Sequence, residues 1–319
     1  MSGRANVLEA VPEVRALWEE QAGVCSRAQL ALVGIDADRV DDHVNARRWI
    51  PLGPTVVVLH RGPLVLRARR FAALLHCGDR AALSAWSALD EWGLVGWQRD
   101  ATHVIVSRGC APPPLPVEFG TVQVHESRRH SPEDVAIHGG LSLHVPPRAA
   151  VDAGAWSTSP RSACGILAAV VQQGLTTPDR LTSTLDEVGK VARLRLMRAT
   201  VADLAGGSQA LSEIDFMRFC RRRGLPEPRQ QRVRRDSRGR RRYLDVEWRL
   251  ANGKRLWVEI DGIGHMEAAR WYDDLLRAAE IQAAPDGGDA PVRLPAAACR
   301  ADPDRVEAIL RSLLGLVSR

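Results

Sequence analysis

Two short runs separated by a turn constrain this chain more than any other feature: Tyr243-Leu244-Asp245-Val246-Glu247-Trp248 and Leu256-Trp257-Val258-Glu259-Ile260-Asp261. Leu244, Val246 and Trp248 alternate with Asp245, Glu247 and Arg249, and Leu256, Val258 and Ile260 alternate with Trp257, Glu259 and Asp261. A period of two is the pleat of a strand with one apolar face. Ala251-Asn252-Gly253-Lys254 reads as the hairpin turn between them.

Loop length decides what that hairpin brings together. A two-residue Asn-Gly turn sets Asp245 opposite Ile260, on the apolar face. A three-residue loop with glycine in a left-handed conformation sets it opposite Glu259 or Asp261. The alternation therefore predicts an odd-length loop or a bulge, with Asp245, Glu259 and Asp261 on one face. Clustered carboxylates repel one another unless a hard cation holds them, so the pattern asks for a divalent metal. The competing reading is the solvated side of an ordinary antiparallel hairpin.

The segment just upstream is the most basic in the protein. Residues 218–242 carry 12 arginines against Glu227 and Asp236. Residues 208–319 hold 22 Lys+Arg against 17 Asp+Glu, whereas residues 1–207 are close to balance at 22 against 21. Lys190 and Lys254 are the only lysines, so clustering rather than arginine identity carries the inference. Arg221, Arg222, Arg223, Arg234, Arg235, Arg240, Arg241 and Arg242 are the candidate phosphate contacts, with binding that falls steeply as salt rises.

Before the arginines, Leu211, Ile214, Met217 and Phe219 recur at roughly helical spacing. Ser212 reads as an N-cap with Asp215 three residues on, and Gly224 followed by Pro226 stops the helix. The expected order is helix, strand, strand, helix, strand, with a last helix at 305–310.

In that order the last third, about 208–319, resembles the restriction-endonuclease-like superfamily, in the branch similar to the very-short-patch repair endonuclease. The matching pieces are Glu213, the Cys220-Arg221-Arg222-Arg223-Gly224-Leu225-Pro226 turn, Leu244-Asp245-Val246, Val258-Glu259-Ile260-Asp261-Gly262 with His265, Asp274 followed by Arg277, and Val292-Arg293-Leu294-Pro295. The resemblance implies Mg2+ (or Mn2+) held by Asp245, Glu259 and Asp261, with Glu213 as a helix-borne carboxylate. Asp261 stands where the wider superfamily usually has lysine, which leaves His265 as the candidate base. The implied reaction is hydrolysis of a DNA phosphodiester bond, with the metal polarising phosphate and activating water, and arginines screening the charge that develops on phosphorus.

A chain of 319 residues is long for one core, and two or three domains are expected. Residues 1–62 read as three helices and a hairpin, the composition of a winged helix: Pro12 to Ala22, a second helix capped by Ser26, a third from Asp36 to Arg48, then strand residues through Leu59. Val24-Cys25-Ser26-Arg27-Ala28-Gln29-Leu30 resembles the N-terminal domain of abortive-infection type IV antitoxin-like proteins. That resemblance implies DNA contacts through Arg39, His43 and Arg47 and a possible cognate toxin as partner, although Asp36, Asp38, Asp41 and Asp42 oppose a DNA role.

Residues 63–207 read as an α+β connector, with helix at 81–89, strands at 103–106 and 122–125, a stiff proline loop over 110–116, and a helical series from Arg148. His125, His130, His138 and His144 lack ligand periodicity and have no accompanying cysteine pair. The six cysteines are far apart, and no signal peptide or membrane-length apolar run is evident, so a cytoplasmic protein with reduced thiols and no membrane partner is expected. The expectation is thus an α/β multidomain chain: winged helix (1–62), α+β connector (63–207) and endonuclease-like domain (208–319). Its function is DNA endonuclease, in defence or repair, or a non-catalytic DNA-binding regulator of antitoxin type. Nothing sets an oligomeric state.

Overall fold

A computed structural model describes residues 11–110, 112, 120–205, 210–235, 241–250, 253–261, 268–283, 292–295 and 298–316. The protein is mixed α/β and divides into two compact units, 1–149 and 150–319, the division falling inside one helix, Pro146–Trp156. The segment read as one connector, 63–207, therefore contributes to both.

The N-terminal unit opens with helix α1 (Pro12–Glu20), strand β1 (Val24–Ser26), helices α2 (Arg27–Leu32) and α3 (Ala37–Asn45), and strands β2 (Ile50–Leu52) and β3 (Val56–Val58). The short α2 is fixed by a capping box. The Gln29 amide donates to Ser26 Oγ at 3.0 Å and the Ser26 amide to Gln29 Oε1 at 2.9 Å. Asp36 caps α3 by accepting from the Arg39 amide. The three strands form an antiparallel sheet in the order β1-β3-β2. Val14, Cys25, Leu30, Ile35, Val40, Trp49, Val57 and Leu59 close a small core of their own.

A five-stranded sheet follows, in the order β6-β5-β4-β8-β7, from β4 (Ala82–Leu83), β5 (Thr102–Ser107), β6 (Val122–Ser127), β7 (Val135–His138) and β8 (Leu141–His144). Strands β5 and β6 run parallel, as do β4 and β8. Helix α4 (Leu66–Cys77) packs on this sheet, and α5 (Ala85–Glu91) starts later than the sequence suggested. Ala82 and Leu83 are a strand rather than the start of that helix, because they pair with Ile105 and Val104 and are buried there. Tertiary pairing has overridden local helix propensity. The proline loop read over 110–116 lies mostly outside the described residues.

The histidines of this sheet are tied into the architecture. His130 Nε2 is 2.7 Å from the Arg80 carbonyl, which can only accept, so that nitrogen carries the proton. His130 Nδ1 lies 3.0 Å from His144 Nε2, and His144 Nδ1 lies 3.0 Å from the Ser84 hydroxyl, both within hydrogen-bond distance. His144 and Ser84 are fully buried. His103 lies 3.1 Å from His125, and its pKa is pushed down to about 4 by burial, then by His125 and Arg99.

The C-terminal unit begins with the end of α6 (Pro146–Trp156), followed by α7 (Pro160–Gln172), α8 (Pro178–Val188) and α9 (Leu194–Ala205). Helix α10 (Ala210–Arg222) leads to strands β9 (Arg229–Arg235), β10 (Arg241–Arg249) and β11 (Arg255–Asp261), helix α11 (Ala268–Ala283), strand β12 (Val292–Pro295), and helices α12 (Ala298–Ala301) and α13 (Pro303–Leu313). Two expectations change here. Helix α10 has already begun at Ala210, so Ser212 sits inside its first turn and is not the cap. The arginine segment is itself partly a strand: β9 pairs antiparallel with β10, with Arg241 opposite Arg235 and Arg242 opposite Arg234. Its run of arginines hid the strand, because charge interrupts the apolar alternation by which a strand is recognised.

The four strands lie in the order β12-β11-β10-β9, with β12 parallel to β11 across α11. Val246, Trp248, Leu256, Val258 and Ile260 form one buried face against Phe216, Phe219, Leu276, Val306 and Leu310, with Cys164 and Ala168 of α7 completing the core. The Trp248 indole meets Phe216 edge-on at 6.0 Å and donates to the Pro226 carbonyl at 2.8 Å. Gly224, at φ 61°, ends α10 as expected, with the Leu225 amide returning to the Cys220 carbonyl.

Candidate functional site

The polar face of the C-terminal hairpin is set by its register. Val246 pairs with Val258, Glu247 with Trp257, Trp248 with Leu256 and Arg249 with Arg255. The Leu250 amide bonds the Lys254 carbonyl at 2.8 Å, leaving a loop of three residues that ends at Gly253, φ 81°. This is the odd-length loop with a left-handed glycine that the alternation requires. Continued by one step from the Val246–Val258 pair, the register sets Asp245 across from Glu259. Asp261, at the end of β11, is two residues along from Glu259 and so on the same face.

That face is not uniformly solvated. Glu247 is 3% exposed and Trp257 9%, so the ordinary solvated hairpin face does not describe its centre. Glu247 Oε1 lies 3.7 Å from Arg255 Nε, while Oε2 is buried with no hydrogen-bond partner among the described residues. A buried carboxylate oxygen left unmatched in this way is costly, and it is the kind of acceptor that a cation or its water satisfies. Glu259 is half-buried, and its Oε2 lies 3.6 Å from Arg293 Nε on the neighbouring parallel strand, where register pairs the two residues.

The remaining predicted ligands are only partly placed. Asp245 and Asp261 have strand positions but their side chains, like that of Glu213 on α10, are outside the described set, and His265 lies wholly outside it. The Asp274 side chain is likewise outside. Among the described residues, no group of three His, Cys, Asp or Glu side chains is gathered closely enough to hold an ion. The available donor type on this face is carboxylate oxygen, which suits a hard divalent cation such as Mg2+ or Mn2+. The orphaned Glu247 Oε2 fits that chemistry.

The predicted phosphate contacts divide by what their guanidinium groups already do. Arg221 is held by Glu227, with Nη2 to Oε1 at 2.6 Å, on an exposed surface. Arg223 binds Asp304 at 2.5 Å and Glu307 at 2.9 Å, and these partners raise its pKa. Its main function in this fold is to join the end of α10 to α13, where Arg311 also donates to its carbonyl. Arg222 is exposed. Arg234, Arg235, Arg241 and Arg242 occupy facing positions on β9 and β10, and Arg240 is outside the described residues.

Sequence reasoning passed over Glu247 as a possible participant, grouping it only with the surface acids. The signal that distinguishes it, burial, depends on what packs over the face. In the N-terminal unit, Arg39 and Arg47 are exposed, but His43 stacks on Trp49 at 4.2 Å and accepts from Arg48 at 2.9 Å. Asp38, Asp41 and Asp42 are exposed on the same short helix, and Asp41 binds Arg27.

Thiol chemistry is not prominent. No disulfide joins the six cysteines, and burial pushes the pKa values of Cys25, Cys77 and Cys220 up to about 12. Among the described residues no helix is long and apolar enough to cross a membrane. Neither protein-family models nor curated proteins match this chain.

Proposed function

We propose that the chain is a Mg2+- or Mn2+-dependent endonuclease that hydrolyses phosphodiester bonds in DNA, in defence or repair. The observation that carries this reading is the hairpin register, which sets Asp245 across from Glu259 on a face where Glu247 has a buried, unmatched oxygen. The strand–strand–helix–strand order of β10, β11, α11 and β12 supports a restriction-endonuclease-like core. In this proposal Asp245, Glu259 and Asp261 hold the cation, Glu213 helps to orient it, and His265 accepts a proton from water. The bound cation would supply charge stabilisation at the phosphate and a water of lowered pKa. Arg222 and the arginines of β9 and β10 would orient the DNA backbone.

The test uses purified full chain with supercoiled, linear and mismatched DNA, with and without Mg2+ or Mn2+. Metal-dependent cutting should fall by about a hundredfold or more in both Asp245→Ala and Glu259→Ala. Cutting that survives both substitutions overturns the reading.

One observation favours a second function. Arg293 already supplies Glu259 with a counter-ion, which suits a face that no longer needs a metal. Under this reading the protein is a DNA-binding regulator of antitoxin type, cytoplasmic, with a cognate toxin as partner. The helix–strand–helix–helix–strand–strand order over 12–58 would serve as a winged helix. Salt-sensitive DNA binding with no cutting on any substrate would select it.

A further inference from the structure

The parallel strands β5 and β6 end side by side, Ser107 opposite Ser127, and the chain beyond them opens into a basin of about 530 Å3. Arg108, Glu126, Ser127, Arg128 and Arg129 line it. The backbone around it is tied down from several directions. The Arg108 amide donates to the Ser127 carbonyl at 3.1 Å, and the Gly109 amide to Glu126 Oε2 at 2.9 Å. The Arg129 amide donates to Ser127 Oγ at 3.0 Å, and its carbonyl accepts from the buried Arg148, which is itself paired with Asp134.

Against this fixed frame, the side chains of Arg108, Arg128 and Arg129 are exposed, and none makes an ion pair or hydrogen bond among the described residues. That contrasts with Arg67, Arg70, Arg148 and Arg198, each of which has a carboxylate. Among the described residues Glu126 is the single carboxylate in the lining, and one of its oxygens is occupied by the Gly109 amide. Three cations against one carboxylate around one concavity, on a backbone that is already tied down, form an anion-binding surface whose remaining ordering cost is that of the arginine side chains.

We infer that this basin binds phosphate groups of a polynucleotide, giving the N-terminal unit its own backbone contact to the nucleic acid that the proposed function assigns to the arginine strands. The inference rests on that reading for its ligand. Phosphate is selected because guanidinium groups pair with its oxygens in a planar, two-point geometry. A polymer is selected over a free phosphate because the basin is open and its cations are exposed. Water and salt screen each attraction, and only a ligand anchored at further phosphates gathers useful affinity from it. Among the described residues the lining has no aromatic ring on which a base would stack, so the contact inferred is to the backbone and is indifferent to sequence.

The experiment compares the full chain with Arg108→Gln/Arg128→Gln/Arg129→Gln and with a control of equal charge, Arg61→Gln/Arg180→Gln/Arg195→Gln, in DNA binding across a salt series. Each lost phosphate contact lowers the slope of log affinity against log salt by about 0.9. The basin variant should lose about two to three in slope and bind about tenfold or more weakly near 100 mM salt, equally on unrelated sequences. The control should lose less than about one. Inorganic triphosphate is the second arm, and it should bind weakly and compete poorly. Equal losses in the two variants, or triphosphate binding that the basin variant abolishes while the DNA slope stays unchanged, would overturn the inference. DNA binding that depends on the basin, in a protein that cuts nothing, would sink the endonuclease and leave the basin standing. Cutting that needs Asp245 and Glu259 but ignores the basin does the reverse.

Discussion

The five-stranded sheet of the N-terminal unit and the four-stranded sheet of the C-terminal unit both carry polar groups at buried positions, and they treat them in opposite ways. In the first, Ser84, His144 and His130 form a chain of hydrogen bonds that ends on the Arg80 carbonyl. In the second, Glu247 is buried nearly as deeply as His144 but keeps an oxygen without a partner among the described residues, and arginine positions face one another across β9 and β10. A closed network strengthens a fold, whereas an open one costs stability until something binds. The difference is between buried polar groups that are matched and one that is not.

Breaking the closed network should produce the largest effect. His144→Phe preserves a ring but removes the link between the buried Ser84 hydroxyl and His130, and should destabilise the protein by about 2–4 kcal/mol in urea unfolding. A cost under about 1 kcal/mol would mean that the chain of hydrogen bonds is incidental to stability.

Acid should test the same sheet more gently. Because burial holds the folded pKa of His103 near 4, below its value in the unfolded chain, the unfolded state binds more protons between those values. Its stabilising contribution is complete above about pH 6.5, falls as pH drops toward 4 and levels off below, reaching at most about 3 kcal/mol. Hydrogen exchange corrected for intrinsic rates should show residues 102–107 losing protection across that window. An unchanged 102–107 segment would refute the assignment.

The smallest effect is expected on the open sheet. Glu247→Gln gives up one long ion pair with Arg255, whose side chain is 47% exposed, and removes an unmatched carboxylate oxygen. Metal-free stability should change by less than about 1 kcal/mol, while Mn2+ affinity, read by titration, should drop if this face holds the cation. A loss as large as that of His144→Phe would erase the contrast between the sheets.

Local chemistry made several elements legible. Ser26 capped the second helix as expected, the third helix began beside Asp36, and Gly224 stopped α10, because each depends on atoms within a few residues. The strands at 102–107 and 122–127 were visible from apolar runs, although their parallel pairing was not. Ala82–Leu83 was misread as helix because its strand identity comes from partners about twenty and sixty residues away. The strand β9 was missed because twelve arginines across 218–242 drown the alternation.

At the candidate site, sequence alone determined the hairpin. Alternation and a glycine three residues beyond Leu250 called for an odd-length loop or a bulge that puts Asp245 opposite Glu259 or Asp261, since a slip of one residue would turn every side chain to the other face, and the register observed selects Glu259. What only the tertiary structure decided was the state of each charge. Burial of Glu247, the Arg293 counter-ion on Glu259, the commitment of Arg223 to α13 and the unpaired arginines of the basin all depend on which distant segments pack nearby. Covalent geometry and periodicity act along the chain, whereas desolvation and Coulomb attraction act through space.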